Sequence, residues 1–329
     1  MNKTSTKQNL GTAMIVKNAE HKVAAAIKSI ISVSEQIIVV DTGSDDSTPV
    51  VCTRLGAEVH YHKWTDSFSE ARNHSIKLLR TDWVLILDAD ETLDINSFQK
   101  NKPLLDNEKI GGISVVIENI LSSDTNSQKS FHKYTRIFRR SPLFHFEGKI
   151  HEQISPSIIA SNYEIYDSEI RIIHYGYNER SEEKYTRNRN MLLSELDNKP
   201  DDHWLNYHLG ETEFAIGNLE QAENIFLKIQ NSNYLSIEQN EIILIRLAQI
   251  ALKKENFDKI EMYINFRSKD VNKEGLRLYI KATNQLLQGN YLQAFNTFNS
   301  HEVKISTLVD YNQVEKPLSL LKLKLDYKE

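Results

Sequence analysis

The sequence predicts an α/β domain built on a Rossmann-like, mixed sheet, followed by an all-α domain of helical repeats. Three observations carry this. Apolar strand-like runs and helix-like periodic segments alternate four times between residues 12 and 87. The last run, Trp83–Leu87, stops abruptly on Asp88, with Asp90 one residue later. In the second half, Gly217-Asn218-Leu219, Glu255-Asn256-Phe257 and Gly289-Asn290-Tyr291 recur at intervals of 38 and 34 residues, the period of tetratricopeptide repeats.

Length and composition are compatible with two domains. A chain of 329 residues can bury two cores. A formal net charge of −5 gives no electrostatic footprint for nucleic acid. The single cysteine, Cys52, excludes an internal disulfide framework and suits a reducing compartment. Met1–Gly11 is polar and lacks the apolar centre of a signal peptide, and no run approaches a membrane span. These features lead to the expectation of a soluble, cytoplasmic protein with no membrane span.

Taken in order, Thr12–Lys17 reads as a strand followed by Asn18. His21–Ser32 places Val23, Ala26, Ile27, Ile30 and Ile31 on one helical face. Gln36–Val40 is a strand ending on Asp41, and Ser47–Leu55 a helix stopped by Gly56. Glu58–Tyr61 is a short strand, and Ser69–Leu79 a helix with Glu70, Arg72 and Asn73 in its first turn. After the fourth strand the pattern changes. Gly111–Asn119, Lys133–Arg139 and Ser168–His174 read as strands, and Phe144–Gln153 as a polar loop holding His145, Glu147, Lys149, His151 and Glu152. From about Glu182 the chain reads as helical. Leu209-Gly210, Ala222 and Phe226 match part of the repeat pattern, and residues 307–329 form a lysine-rich cap or tail. The expected domains are a polar segment 1–11, an α/β domain 12–182, a connecting helix 183–200 and a helical domain 201–329.

The chemistry is expected where strands end. Two carboxylates closing a buried strand are costly unless something pairs with them, and a divalent cation does so. In open α/β sheets, ligands bind beyond the carboxyl ends of the strands. Asn18, Asp41 and Asp88 would therefore line one crevice. Other readings compete for these residues. Asp41-Thr42-Gly43-Ser44 matches an aspartic-protease loop, but that chemistry needs a second copy. Asp88-Ala89-Asp90-Glu91-Thr92 matches the nucleophile segment of haloacid-dehalogenase-like phosphatases, for which Asp201-Asp202 is the candidate acidic pair. A non-catalytic repeat protein that only binds a partner is a third reading.

The ordered series of segments resembles glycosyltransferase family 2, with the GT-A fold. It comprises Met14–Asn18, Ile38–Thr48, Trp64–Asn73, Asp88-Ala89-Asp90, Arg136–Arg139, Glu147–Glu152 and His174–Tyr177. The tail is similar in architecture to bacterial members that modify peptides or proteins. One departure is Ala19 after Asn18, where the family usually has Glu; Glu20 comes one residue later.

The resemblance implies a metal-dependent, inverting transferase of the hexosyltransferase type. The donor is a nucleoside-diphosphate sugar, UDP favoured, with Mg²⁺ or Mn²⁺ as cofactor. The acceptor is a peptide, protein or glycan, met through the helical domain. Lys17, Asn18, Asp41, Thr42, Arg72, Asp88, Ala89 and Asp90 are implied to bind the nucleotide sugar, with Asp41 on the uracil. Asp90, Asp88 and His174 are implied to hold the metal, and Glu152, or His151 beside it, to be the base. Asp45 is expected to cap the helix near Ser47. Arg136 and Arg139 are candidates to flank the diphosphate or to pair structurally.

Overall fold

The computed structural model describes residues 8–120, 129–175 and 182–326. The chain divides into two compact units, Met1–Arg180 and Ser181–Glu329.

In the first unit the early elements form where the apolar pattern places them. They are β1 (Leu10–Val16), α1 (Val23–Ile30), β2 (Gln36–Asp41), α2 (Thr48–Arg54), β3 (Glu58–Tyr61), α3 (Phe68–Leu78) and β4 (Trp83–Ile86). Strands β3, β2, β1 and β4 lie side by side and parallel. Alternate residues of each strand feed two cores. Met14, Val39 and Leu85 pack with Val23, Ala26, Ile27 and Ile30 of α1. Ala13, Ile38, Val40 and Ile86 pack with Ile76 of α3. Ile31, expected on the buried face of α1, is instead its exposed C-cap. Gly56 stops α2 with φ +88°, a conformation that glycine adopts without a Cβ penalty.

Beyond β4 the sheet turns antiparallel. The sequence reading lacked three elements there: β5 (Glu91–Leu93), α4 (Ile95–Asn101) and, later, α5 (Ser155–Ala160). A three-residue strand carries too little periodicity to stand out. β6 (Ile110–Ile120), β7 (Lys129–Arg139) and β8 (Glu164–His174) are longer than expected, and complete the order β3-β2-β1-β4-β7-β6-β8-β5. β7 runs antiparallel to both β4 and β6, β8 is parallel to β6, and β5 is antiparallel to β8. This mixed sheet brings the ends of β4, β5, β6 and β8 into one neighbourhood. Gly176 and Tyr177 of the family-like series, and residues 1–7 of the polar segment, lie outside the described residues.

The second unit is helical throughout its described residues. It contains α6 (Glu182–Leu196), α7 (His203–Ala215), α8 (Leu219–Ile229), α9 (Ile237–Lys253), α10 (Phe257–Tyr263), α11 (Val271–Leu287), α12 (Tyr291–Phe298), α13 (His301–Ile305) and α14 (Tyr311–Asp326). The three recurrent Asn turns fall between α7 and α8, α9 and α10, and α11 and α12. Gly210 shows why the repeat pattern wants a small residue. A Cβ there would come within 2.5 Å of the fully buried Phe226 ring. The lysine-rich end is helix α14, whose Val314 and Leu321 are buried in the helical core. Asp202 caps α7 through the amide of Leu205, and Asp201 pairs with Lys228 at the surface. Both acids of the phosphatase reading thus have structural partners.

Candidate active site

The site grows from the polar ends of parallel strands. At the end of β2, Asp41 is 1% exposed. Its Oδ1 accepts from the amides of Gly43 and Ser44, both at 2.8 Å. Its Oδ2 is buried with no partner among the described residues. A buried carboxylate oxygen without a donor is unfavourable by itself, so Asp41 is ready to accept from an N–H. Thr42 donates both its amide and its hydroxyl to the Val16 carbonyl, which fixes the loop. Past β1, Lys17 and Asn18 are exposed. Asn18 has φ 50°; its amide donates to Ser44 Oγ and its Oδ1 accepts from the Asp45 amide. The expected cap by Asp45 is corrected. Asp46 accepts from the amide and hydroxyl of Thr48, and Glu20 accepts from the Ser47 amide. Glu20 therefore ties the first loop to the start of α2, a partner that local spacing could not reveal.

At the end of β4 the carboxylates share two arginines. Ser67 caps α3 by accepting from the Glu70 amide, which starts the helix so that Arg72 lies buried beneath it. Arg72 donates from Nη2 to Asp88 Oδ1 at 2.8 Å and from Nε to Glu152 Oε1 at 2.5 Å. Its Nη1 is buried without a partner among the described residues. Arg136, projecting from β7, donates to Asp88 Oδ2 at 3.2 Å and to Glu91 Oε1 at 2.9 Å. Glu91 Oε2 in turn accepts from the Asp88 amide. Burial by itself would raise the Asp88 carboxyl, but the charges of Arg72 and Arg136 outweigh it and hold it well below the usual range. Glu91 is pushed up, because its burial and its closeness to Asp88 exceed the help from Arg136.

Asp90 faces a different partner. Its Oδ2 lies 3.6 Å from Nε2 of His174, at the end of β8. The Tyr175 amide donates to the Asp90 carbonyl, which locks the two strand ends together. Ala89, between the acids, packs against the core. Among the described residues no three His, Cys, Asp or Glu side chains form a cage for a metal. Two protein ligands suit a cation that takes its remaining oxygens from a bound diphosphate, as Mg²⁺ commonly does.

The loop before α5 supplies Glu152. Asn73 of α3 clamps it at Phe146: its Nδ2 donates to the Phe146 carbonyl and its Oδ1 accepts from the Phe146 amide. The Phe68 amide donates to the Lys149 carbonyl. Gly148 has φ +88° and His151 φ 53°, so the turn runs through left-handed backbone. Desolvation pushes the His151 imidazole down to about 4. His145 pairs with Glu147 at the surface, and Arg139 donates to the Ile110 and Asn107 carbonyls, a structural role.

Of the residues singled out in the sequence, Arg72, Asp88, Arg136 and Glu152 form one bonded network, and Asp90 pairs with His174. Glu91 and Asn119 escaped notice as site residues. The run Asp88–Glu91 hinted at Glu91. Nothing local to the sequence hinted at Asn119, whose partner His174 lies 55 residues on.

The family model described as glycosyl transferase family 2 matches residues 12–172. A TPR repeat-containing protein of Synechococcus elongatus is 31% identical over 219 residues, covering 64% of this chain and 53% of the relative. The glycosyltransferase SunS of a Bacillus subtilis prophage is 26% identical over 271 residues, covering 77% of this chain and 61% of SunS. The chain thus spans between half and two thirds of the length of these relatives. Among solved structures, TarS of S. aureus aligns with a TM-score of 0.42 at 13% identity, over 84% of this chain and 53% of that one. No described helix is long and apolar enough to cross a membrane.

Proposed function

We propose, from the premise that residues 12–172 belong to glycosyl transferase family 2, that this chain moves a sugar from a nucleoside-diphosphate donor to an acceptor with inversion. The observation that carries the reading is a charge imbalance. Asp88, Glu91 and Glu152 share the two guanidiniums of Arg72 and Arg136, while Asp90 stands opposite His174. A proton on Glu91, whose carboxyl is pushed up, or a bound cation relieves this excess, and we take the cation as the working reading.

Asp90 and His174 would hold Mg²⁺ or Mn²⁺, which when bound neutralises the departing diphosphate. Asp88 keeps Arg72 and Arg136 in place, so we assign it to the arginines before the metal. The unpartnered Nη1 of Arg72 is a donor for a diphosphate oxygen, and the unpartnered Oδ2 of Asp41 an acceptor for the N–H of uracil. That acceptor suits any base with a ring N–H, and UDP is favoured among them by the family resemblance. Lys17 and Asn18 flank the same strand ends.

Inversion needs a base on the face of the sugar opposite the leaving group. Arg72 fixes Oε1 of Glu152 and leaves Oε2 to take the acceptor proton. His151, kept neutral by burial, is the alternative base beside it. We assign acceptor recognition, of a peptide, protein or glycan, in part to the helical repeats. Relatives of this architecture include one named for its repeats and one named a glycosyltransferase.

A thermal-shift series with UDP, GDP and dTDP, with and without Mn²⁺, tests the reading. Stabilisation by UDP that needs Mn²⁺ and disappears in Asp90→Ala is the expected result. Equal response of wild type and variant would remove the metal from the site.

A further inference from the structure

We infer that Asn119 is the positioning residue that sets which nitrogen of His174 faces the cation; this rests on the metal reading above. Asn119, near the end of β6, is 1% exposed and lies across from His174 in the parallel pairing of β6 with β8. Its Oδ1 is 2.8 Å from His174 Nδ1, and its Nδ2 is 3.0 Å from Nδ1 of His132 on β7.

With the amide oriented so, one pair of tautomers satisfies both contacts. An amide oxygen only accepts, so Nδ1 of His174 carries a proton. An amide nitrogen only donates, so Nδ1 of His132 presents its lone pair. The second contact is equally satisfied with the amide turned over if both rings change tautomer, so it is the cation that selects the orientation in which Oδ1 faces His174. Were the amide turned over, its nitrogen would face His174 and force the opposite tautomer. With Nδ1 protonated, Nε2 of His174 keeps its lone pair on the side of Asp90, an arrangement that a cation between the two favours and that replaces the direct pairing of Nε2 with Asp90 in the metal-free protein. A metal-binding imidazole needs that arrangement, because the proton on its other nitrogen is held by an outer partner. Asn119 thereby links β6, β7 and β8 to the cation position without touching the cation.

The test uses the full chain, saturating UDP, and free Mn²⁺ measured by electron paramagnetic resonance. Asn119→Leu, which cannot accept from Nδ1, is expected to weaken Mn²⁺ binding about 10- to 100-fold. UDP binding at saturating Mn²⁺ should not change. Asn119→Asp restores an acceptor for Nδ1 and is expected to bind Mn²⁺ within about threefold of wild type, so a folding defect in the Leu variant would not remove the test. Long-range ¹H–¹⁵N spectra of the wild type with bound Mg²⁺ and UDP should show the proton of His174 on Nδ1. Finding it on Nε2, or finding wild-type Mn²⁺ affinity in Asn119→Leu while Asp90→Ala loses binding, would overturn the role of Asn119 and leave the metal reading standing. Unchanged Mn²⁺ affinity in both Asp90→Ala and His174→Ala would bring down the metal reading and this inference with it.

Discussion

Both units bury charge, but they balance it differently. In the helical unit, three guanidiniums each meet one carboxylate. Arg277 pairs with Glu274, whose other contact is the Ser268 amide; Arg246 makes two bonds to Glu211; Arg189 pairs with Glu213, which also accepts from Asn218. In the α/β unit two arginines serve three carboxylates, and Arg72 and Asp41 each keep a buried polar atom without a partner among the described residues. Buried ion pairs stabilise little over an apolar core, yet breaking one leaves a costly lone charge. Arg246–Glu211 and Arg189–Glu213 join different helices and Arg277–Glu274 lies within α11, whereas the α/β network carries one more carboxylate than guanidinium.

Removing one arginine from each unit tests this contrast most strongly. Arg72→Met should destabilise the protein by about 3–5 kcal/mol and reduce transfer by about 10³-fold in the protein that remains folded. Arg277→Met should carry a similar stability cost, read from the urea midpoint, and leave turnover of the folded fraction unchanged. Lost turnover in the second variant would erase the distinction. Glu152→Gln comes next. It should slow transfer by about 10²–10⁴-fold while UDP binding, followed by calorimetry, stays as in wild type; normal transfer would move the base elsewhere.

Two smaller effects sharpen the comparison. Gly210→Ala pushes a methyl into the Phe226 ring and should cost about 1–3 kcal/mol, visible as a lower Tm with no change in kcat per folded molecule. The pH dependence belongs to the other unit. His151 sits near 4 when folded and near 6.5 when unfolded, so the unfolded chain binds the extra proton between those values. Stability from this group is full above about pH 6.5 and falls as pH drops toward about 4. Partial exposure of the ring limits the loss to about 1–2 kcal/mol. His151→Asn, which keeps a residue tolerant of positive φ, should flatten that slope in urea titrations at pH 4 to 7. An unchanged slope would assign the acid sensitivity to other groups.

The sequence by itself determined the first four strands, their helices and the acids that close them. Each of those depends on spacing within about ten residues: apolar alternation, or a stop such as Gly56. It also determined the repeat turns, because Gly210 and Phe226 meet within one hairpin. Only the tertiary structure decided how the charges are shared. Arg72 reaches Glu152 across 80 residues, Arg136 reaches Glu91 across 45, and Asn119 reaches His174 across 55. Side chains so far apart in the chain become neighbours only when antiparallel strands β7 and β6 and parallel strand β8 set their register. No local periodicity encodes which carboxylate a given arginine will find.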